Sequence, residues 1–165
     1  MNRNKSRSVK ELFSLNKKNS LIIGGAGYLG KAMSSTLLEL GSNVIIASRN
    51  KITGERVVRD LKKRGFNKVN FHVVDITDKK SLEKLKSFVA RKFKKKLDIL
   101  INCGWSGKKN TFESIDSEDW KYDIDTCLTG VFDSIKIFLP LLKKGKGNIL
   151  NIGSAYSHVA PDYRM

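Results

Sequence analysis

Two spacings of apolar residues alternate along this chain. Short runs rich in branched aliphatics occur at 21–23 (LII), 43–47 (NVIIA), 69–74 (VNFHVV), 97–102 (LDILIN) and 148–152 (NILNI), with the length and composition of strands. Between them, apolar residues return every three or four positions, the period of a helix with one buried face. Leu29, Met33, Leu37 and Leu40 predict a helix over about 28–40, stopped by Gly41. A second runs from about Ile52 to Arg64 and ends at Gly65. Leu82, Leu85, Val89 and Phe93 predict a third, capped by Thr77 or Asp78, and a long fourth covers about 117–143. Residues 1–19 read as a basic tail leading into a short helix or turn around Val9 to Leu15. Strands of this kind separated by helices predict an α/β fold. It is a doubly wound parallel sheet of five strands, covered on both faces, with right-handed crossovers. Neither repeats nor a low-complexity linker interrupt it, so residues 20–165 form one domain behind the lead-in.

The junction of the first strand with the first long helix carries the chemistry. It reads Ile22-Ile23-Gly24-Gly25-Ala26-Gly27-Tyr28-Leu29-Gly30. Glycines at Gly25-x-Gly27-x-x-Gly30, with Gly24 in front, suit a dinucleotide. One allows the tight turn, one lets backbone approach a pyrophosphate, and one lets helix and strand pack closely. The diphosphate then meets free N–H groups at the positive end of the helix. At the end of the second strand, a site for NAD normally places an acid against the adenosine ribose. Here that corner is Ser48-Arg49-Asn50. Arg49 offers a fork of donors suited to a 2′-phosphate and Ser48 a hydroxyl, which favours NADP(H) over NAD(H). The alternative is that Arg49 is an ordinary exposed turn residue.

Charge and cysteine content narrow the classes. Lys and Arg number 32 against 16 Asp and Glu in 165 residues, a net charge of +16. The excess is spread over the tail (Arg3, Lys5, Arg7, Lys10), residues 62–64, residues 79–96 and the turn at Lys143, Lys144 and Lys146. No stacking aromatics interleave it, so a solvated Lys-rich surface is expected and a polyanion binder is the weaker alternative. Cys103 and Cys127 have neither disulfide-framework nor metal-ligand spacing. The N-terminus lacks an apolar signal core, and the longest apolar run, 135–142, contains Lys136 and Pro140. A soluble cytoplasmic protein is expected, with no membrane partner and no metal.

Three further segments complete a pattern. Asp75-Ile76 follows the third strand, Ile101-Asn102-Cys103-Gly104 ends the fourth, and Asn151-Ile152-Gly153-Ser154 ends the fifth. With the glycine turn and the stretch Trp120 to Phe132 (WKYDIDTCLTGVF), they resemble the short-chain dehydrogenase/reductases of the classical type, over residues 12 to 165. The extended branch of that family fits the turn but fits Asn102-Cys103-Gly104 less well. The resemblance implies a Rossmann fold and NAD(P)-dependent hydride transfer between carbonyl and alcohol. It places the diphosphate on Gly24, Gly25, Gly27, Leu29 and Gly30, the adenine at Asp75 and Ile76, and the middle of the cofactor at Asn102, Cys103 and Gly104. Ser154 takes the role of the serine that orients the substrate oxygen. Full-length relatives form dimers or tetramers, which implies a homo-oligomer for a full-length form. Blander roles stay open: Asp75 as a helix cap, Asn102 as a stitch between strand ends, Ser154 as a loop hydroxyl. His72 and His158 are expected to be structural or surface residues.

The sequence also departs from that family. Ile23 stands where Thr is usual, and Tyr28 where a glycine is usual. Cys127 occupies the position of the family's catalytic Asn, and a thiol hydrogen-bonds poorly. The family's acid/base is a Tyr followed four residues later by Lys. Tyr156 is followed four places on by Ala160, and Tyr163 has only two residues after it. Members of the family usually run to roughly 250 residues, so about a third of the domain is expected to be missing. The expectation is a truncated chain that lacks the standard mechanism, with an unpaired fifth strand and apolar surface left bare. A non-catalytic NADP(H)-binding or interaction module is the alternative reading.

Overall fold

The computed structural model describes residues 8–105, 111 and 113–154. After a one-turn helix α1 (Val9–Leu12), the chain alternates β1 (Asn19–Ile23), α2 (Tyr28–Glu39), β2 (Asn43–Ser48), α3 (Lys51–Lys63), β3 (Val69–Val73), α4 (Lys79–Lys92) and β4 (Ile99–Asn102). It continues through α5 (Ser117–Ile124), a π-helical turn (Asp125–Thr129), α6 (Gly130–Gly145) and β5 (Asn148–Asn151). The five strands form one parallel sheet in the order β3-β2-β1-β4-β5. This is the doubly wound architecture expected from the sequence.

Alternation along each strand explains the two layers. Leu21, Ile23, Ile45, Ala47 and Leu100 face one side, where they pack with Leu82, Leu85 and Val89 of α4 and Phe138, Leu141 and Leu142 of α6. Their neighbours Ile22, Val44, Ile46 and Ile101 face the other side, against Leu37 and Leu38 of α2 and Val57 and Leu61 of α3. A strand buried on both faces must be apolar throughout, which is why these runs are continuous rather than alternating. β5 differs. It pairs only with β4 among the described residues, and Ile149, Leu150 and Ile152 stay 39–48% exposed.

Local chemistry sets most element ends. Asn50 caps α3 by accepting from the Thr53 N–H at 2.9 Å, and Asp116 caps α5 by accepting from the Asp119 N–H at 2.7 Å. Between the two candidates for the α4 cap, the structure selects Asp78, which accepts from the Lys80 N–H at 2.8 Å. Thr77 instead donates to Asp75.

One expectation needs correction, and one gains a detail. The buried face of α2 runs through Gly30, Ser34, Leu37 and Leu38, and Leu29 is 54% exposed. The helix must approach the glycine turn too closely for a leucine on its inner side. The long fourth helix runs without a break from Ser117 to Gly145 as expected, with a π-helical turn widening it at Asp125–Thr129. There a Cβ on Gly130 would sit 2.8 Å from the carbonyl oxygens of both Asp125 and Ile76, so the glycine admits a backbone contact that a regular helix with a side chain would block. No helix among the described residues is long and apolar enough to cross a membrane.

Candidate functional site

Strand order places the site. β1 leads outward to β2 on one side, while β4 lies on its other side, so the loops after β1 and β4 depart in opposite directions. At such a switch point a crevice opens at the carboxyl ends of the strands. A cleft of about 630 Å³ occupies it.

Its floor is the glycine turn. Gly24 has φ +85°, and a Cβ there would lie 2.5 Å from the Gly104 nitrogen, so the turn after β1 touches the end of β4 backbone to backbone. Only glycine meets both demands. A Cβ on Gly30 would lie 2.3 Å from the Gly24 oxygen, which draws the start of α2 against the turn. Gly27 is the N-cap of α2 and supplies no side-chain cap. The first N–H groups of that helix therefore keep their anion-binding capacity.

The side walls come from five elements. Ser48 ends β2 and Arg49 follows it; Val74, Asp75 and Ile76 follow β3; Cys103, Gly104 and Trp105 follow β4; Tyr122 comes from α5 and Thr126 from the π-turn. Two hydroxyl oxygens in this wall, Ser48 Oγ and Thr126 Oγ1, are buried and find no hydrogen-bond partner among the described residues. Buried hydroxyls without partners are costly, so such a pair marks where a ligand or water completes the structure. Arg49 Nη1 donates to the Tyr122 hydroxyl, and the guanidinium carbon lies 5.8 Å from the Tyr122 ring centroid. Asp75 Oδ1 accepts from the Thr77 N–H at 2.9 Å and from its hydroxyl at 2.7 Å, which fixes the carboxylate at the cleft.

The cleft gathers Gly24, Gly27, Ser48, Arg49, Asp75, Ile76, Cys103 and Gly104 of the expected cofactor residues. Gly25, Leu29, Gly30 and Asn102 are not in its wall. Asn102 turns its side chain into the sheet, donating to Asn151 Oδ1 at 2.9 Å and accepting from the Ser134 hydroxyl at 2.9 Å. Burial pushes the Cys103 thiol above its ordinary pKa, and its Sγ lies 3.8 Å from the Gly24 oxygen. Cys127 is exposed on the π-turn; partial burial and then the charge of Asp123 raise its pKa. Ser154 is exposed beyond the end of β5. His72 packs its ring on Phe88, at 4.8 Å between centroids, and takes no part in the cleft. His158, Tyr156, Tyr163, the basic residues before Ser8 and residues 106–110 lie outside the described residues.

Tyr122 and Thr126 are among the wall residues that the sequence pattern did not mark, with Asn50, Thr53 and Val74. Their spacing of four puts the two on one side of the helical stretch, but nothing in the spacing says that this side faces the cleft. No group of three or more candidate metal ligands occurs among the described residues.

A sequence model of the short chain dehydrogenase family matches residues 18–163. The chain belongs to that family. It is 31% identical over 156 residues to a tropinone reductase homolog of Arabidopsis thaliana, covering 87% of this chain and 58% of that protein. It is also 31% identical over 147 residues to the 3-oxoacyl-acyl-carrier-protein reductase of Buchnera aphidicola, covering 88% and 58%. Among solved structures, a Pseudomonas aeruginosa RhlG/NADP active-site complex superposes with a TM-score of 0.82 at 24% identity, covering 91% of this chain and 59% of that one. This short-chain dehydrogenase chain thus spans less than two-thirds of the length of each of these relatives. Its five-stranded parallel sheet with flanking helices matches the Rossmann fold of the solved structures of the family.

Proposed function

We propose that the cleft binds NADP(H) in preference to NAD(H) and serves oxidoreduction of a small carbonyl or alcohol compound. One observation carries this reading. An uncapped glycine-lined helix start and an arginine bound the same crevice, and its wall also holds two buried hydroxyls without partners among the described residues. A dinucleotide phosphate fits that set: the diphosphate needs N–H groups, the 2′-phosphate a cation, and the ribose and base hydrogen-bonding groups.

Residue roles follow from position. The backbone of Gly24 and Gly27, which line the cleft, takes the diphosphate, and Gly25, Leu29 and Gly30 form the turn and helix start behind them. Arg49, with Ser48, takes the 2′-phosphate. Asp75 and Ile76 flank the adenine, and the end of β4, Asn102 to Gly104, supports the middle of the cofactor. Asn102 acts through the strand it braces rather than by direct contact. The bound nicotinamide supplies the hydride chemistry; Ser154 orients the substrate oxygen. The names of the two relatives, a reductase homolog of Arabidopsis and a reductase of Buchnera, support the carbonyl reading.

The proton is the open part of the chemistry. No Tyr-x-x-x-Lys occurs in the 165 residues, and Cys127 stands at the position of the family's Asn. A thiol with a raised pKa is a weak hydrogen-bonding substitute for an amide. We therefore read the chain as a cofactor-binding unit that, by itself, turns over far below the rate of its relatives.

Titration of the purified chain with NADPH and NADH, followed by nicotinamide fluorescence, tests this. NADPH is expected to bind about tenfold or more tightly than NADH, and Arg49→Ala to remove the difference. Equal affinities refute the NADP(H) preference, and absence of binding refutes the cofactor site. Steady turnover of a carbonyl compound at the relatives' rates refutes the non-catalytic reading of this chain.

A further inference from the structure

We infer that Tyr122 determines the strength of the 2′-phosphate preference by positioning Arg49. The inference rests on the reading of Arg49 as the 2′-phosphate ligand and extends it to a residue on the opposite wall. Arg49 follows β2, whereas Tyr122 belongs to α5, 73 positions later in the chain. Both line the cleft, and they meet across it. The phenol accepts a hydrogen bond from Arg49 Nη1, and the guanidinium sits over the ring at 5.8 Å.

That arrangement has a physical consequence. Arg49 is exposed, and an exposed arginine samples many rotamers that a ligand must freeze out. The Tyr122 clasp freezes most of that freedom before the ligand arrives. A guanidinium carries five N–H donors in one plane, so a single bond to a phenol leaves four for phosphate oxygens. The phenol, accepting from Arg49, still has its own proton to donate to the same phosphate. Tyr122 is itself held in place. Asp116 caps the start of α5, and Lys121 pairs with Asp125 at 2.6 Å one turn on. The clasp thus joins a fixed helix to the corner that would read the 2′ position.

The competing explanation is a tether: the pair merely ties α5 to the end of β2 and does nothing for the ligand. The two differ in what a ligand pair senses. 2′,5′-ADP and 5′-AMP differ only in the 2′-phosphate. A positioning role therefore changes the ratio of their affinities, whereas a tether changes both together.

The experiment is calorimetric titration of 2′,5′-ADP and 5′-AMP into the 165-residue chain, its Tyr122→Phe and Arg49→Ala variants, and the double variant. Thermal melts check that each is folded. Tyr122→Phe keeps the ring under the guanidinium and removes only the hydroxyl. The affinity ratio is expected to fall about three- to tenfold in Tyr122→Phe. It is expected to collapse in Arg49→Ala and to fall no further when Tyr122→Phe is added. A ratio that survives Tyr122→Phe overturns the inference while leaving Arg49 as the phosphate ligand. Parallel weakening of both ligands also overturns it, in favour of the tether. A wild-type chain that binds 5′-AMP but does not prefer 2′,5′-ADP removes the phosphate reading of Arg49 and the clasp with it. Binding of neither ligand refutes the cofactor site as a whole.

Discussion

Ser134 of α6 donates its hydroxyl proton to the Asn102 side-chain oxygen at 2.9 Å, and the Asn102 amide donates in turn to Asn151 at 2.9 Å. Asn102 is 2% and Ser134 0% exposed, so the step from α6 to β4 lies out of reach of water, while the Asn151 end of the relay on β5 is exposed. It fixes the end of β5, just before Ser154. Asn102→Ala leaves the buried Ser134 hydroxyl without its acceptor, and it is expected to destabilise the chain by about 1–3 kcal/mol. Ser134→Ala removes the other end and is expected to cost about 1 kcal/mol. Urea unfolding followed by circular dichroism measures both. A loss under about 0.5 kcal/mol for Asn102→Ala contradicts the structural weight given to this relay.

Two glycines of the same turn are expected to fail in different ways. At Gly30 a Cβ would stand 2.3 Å from the Gly24 oxygen and 2.6 Å from the Gly25 Cα, both backbone atoms with nowhere to move. Gly30→Ala is therefore expected to cost about 1–3 kcal/mol of stability and to abolish NADPH binding. At Gly27 the closest atom is the Gly24 oxygen at 3.3 Å, a contact that small shifts relieve, but the methyl group enters the cleft. Gly27→Ala is expected to melt within a few degrees of wild type and to lose cofactor affinity. Melting curves paired with NADPH titrations separate the two. Matching behaviour of both variants refutes the assignment of separate packing and binding roles.

What pattern reading found and what it missed have physical causes. Strands buried on both faces must be apolar along their whole length, so β1, β2 and β4 stand out of the sequence, and with them the sheet. The cleft corners at Gly24 and Arg49 were legible because turn chemistry is local: a few neighbouring residues decide it. The π-turn was not legible. No short apolar period marks a widened turn, and its one trace is Gly130, which alone looks like any helix glycine. Leu29 was assigned to the buried face because periodicity cannot see that the glycine turn already occupies the space beneath it. Tyr122 and Thr126 depend on the angle at which α5 leans over the cleft. That angle is a property of tertiary packing rather than of spacing.

Asp98 carries a pH dependence at the opposite end of the sheet. It is 3% exposed and accepts from the Asn19 N–H at 3.1 Å and from Lys18 at 3.1 Å, with Lys96 at 3.3 Å. Burial alone would raise its pKa. The hydrogen bonds from Asn19, Lys18 and Lys96 outweigh that, and the net result lies below the ordinary value of 3.8. The folded state thus holds the carboxylate charged more firmly than the unfolded chain does. Its stabilisation is complete above the unfolded pKa and is lost as the pH falls through the lower folded value. Asp98→Asn is expected to remove that part of the acid sensitivity, giving a flatter stability curve between about pH 2 and 5. Thermal melts across that range check it. Parallel curves for the variant and wild type would exclude Asp98 as the source.

The two thiols provide a chemical test of the cleft. Cys103 lines it, half-buried beside Gly24, and burial raises its pKa. Cys127 is exposed on the π-turn, outside the cleft wall, and is raised by partial burial and then by Asp123. Thiolate is the nucleophile, so both react slowly near neutral pH, and access then separates them. Iodoacetamide is expected to label Cys127 ahead of Cys103, with both rates rising as the pH is taken from 7 to 9. A dinucleotide lying along the glycine turn covers the end of β4. Saturating NADPH is therefore expected to slow Cys103 labelling about tenfold or more while Cys127 labels at its former rate. Peptide mass spectrometry of time-quenched samples reads each site separately. Protection of Cys127 in place of Cys103 would move the cofactor from the cleft to the π-turn. Protection of neither at saturating NADPH would show that the ligand leaves the end of β4 open, and the role given to Cys103 and Gly104 would be wrong.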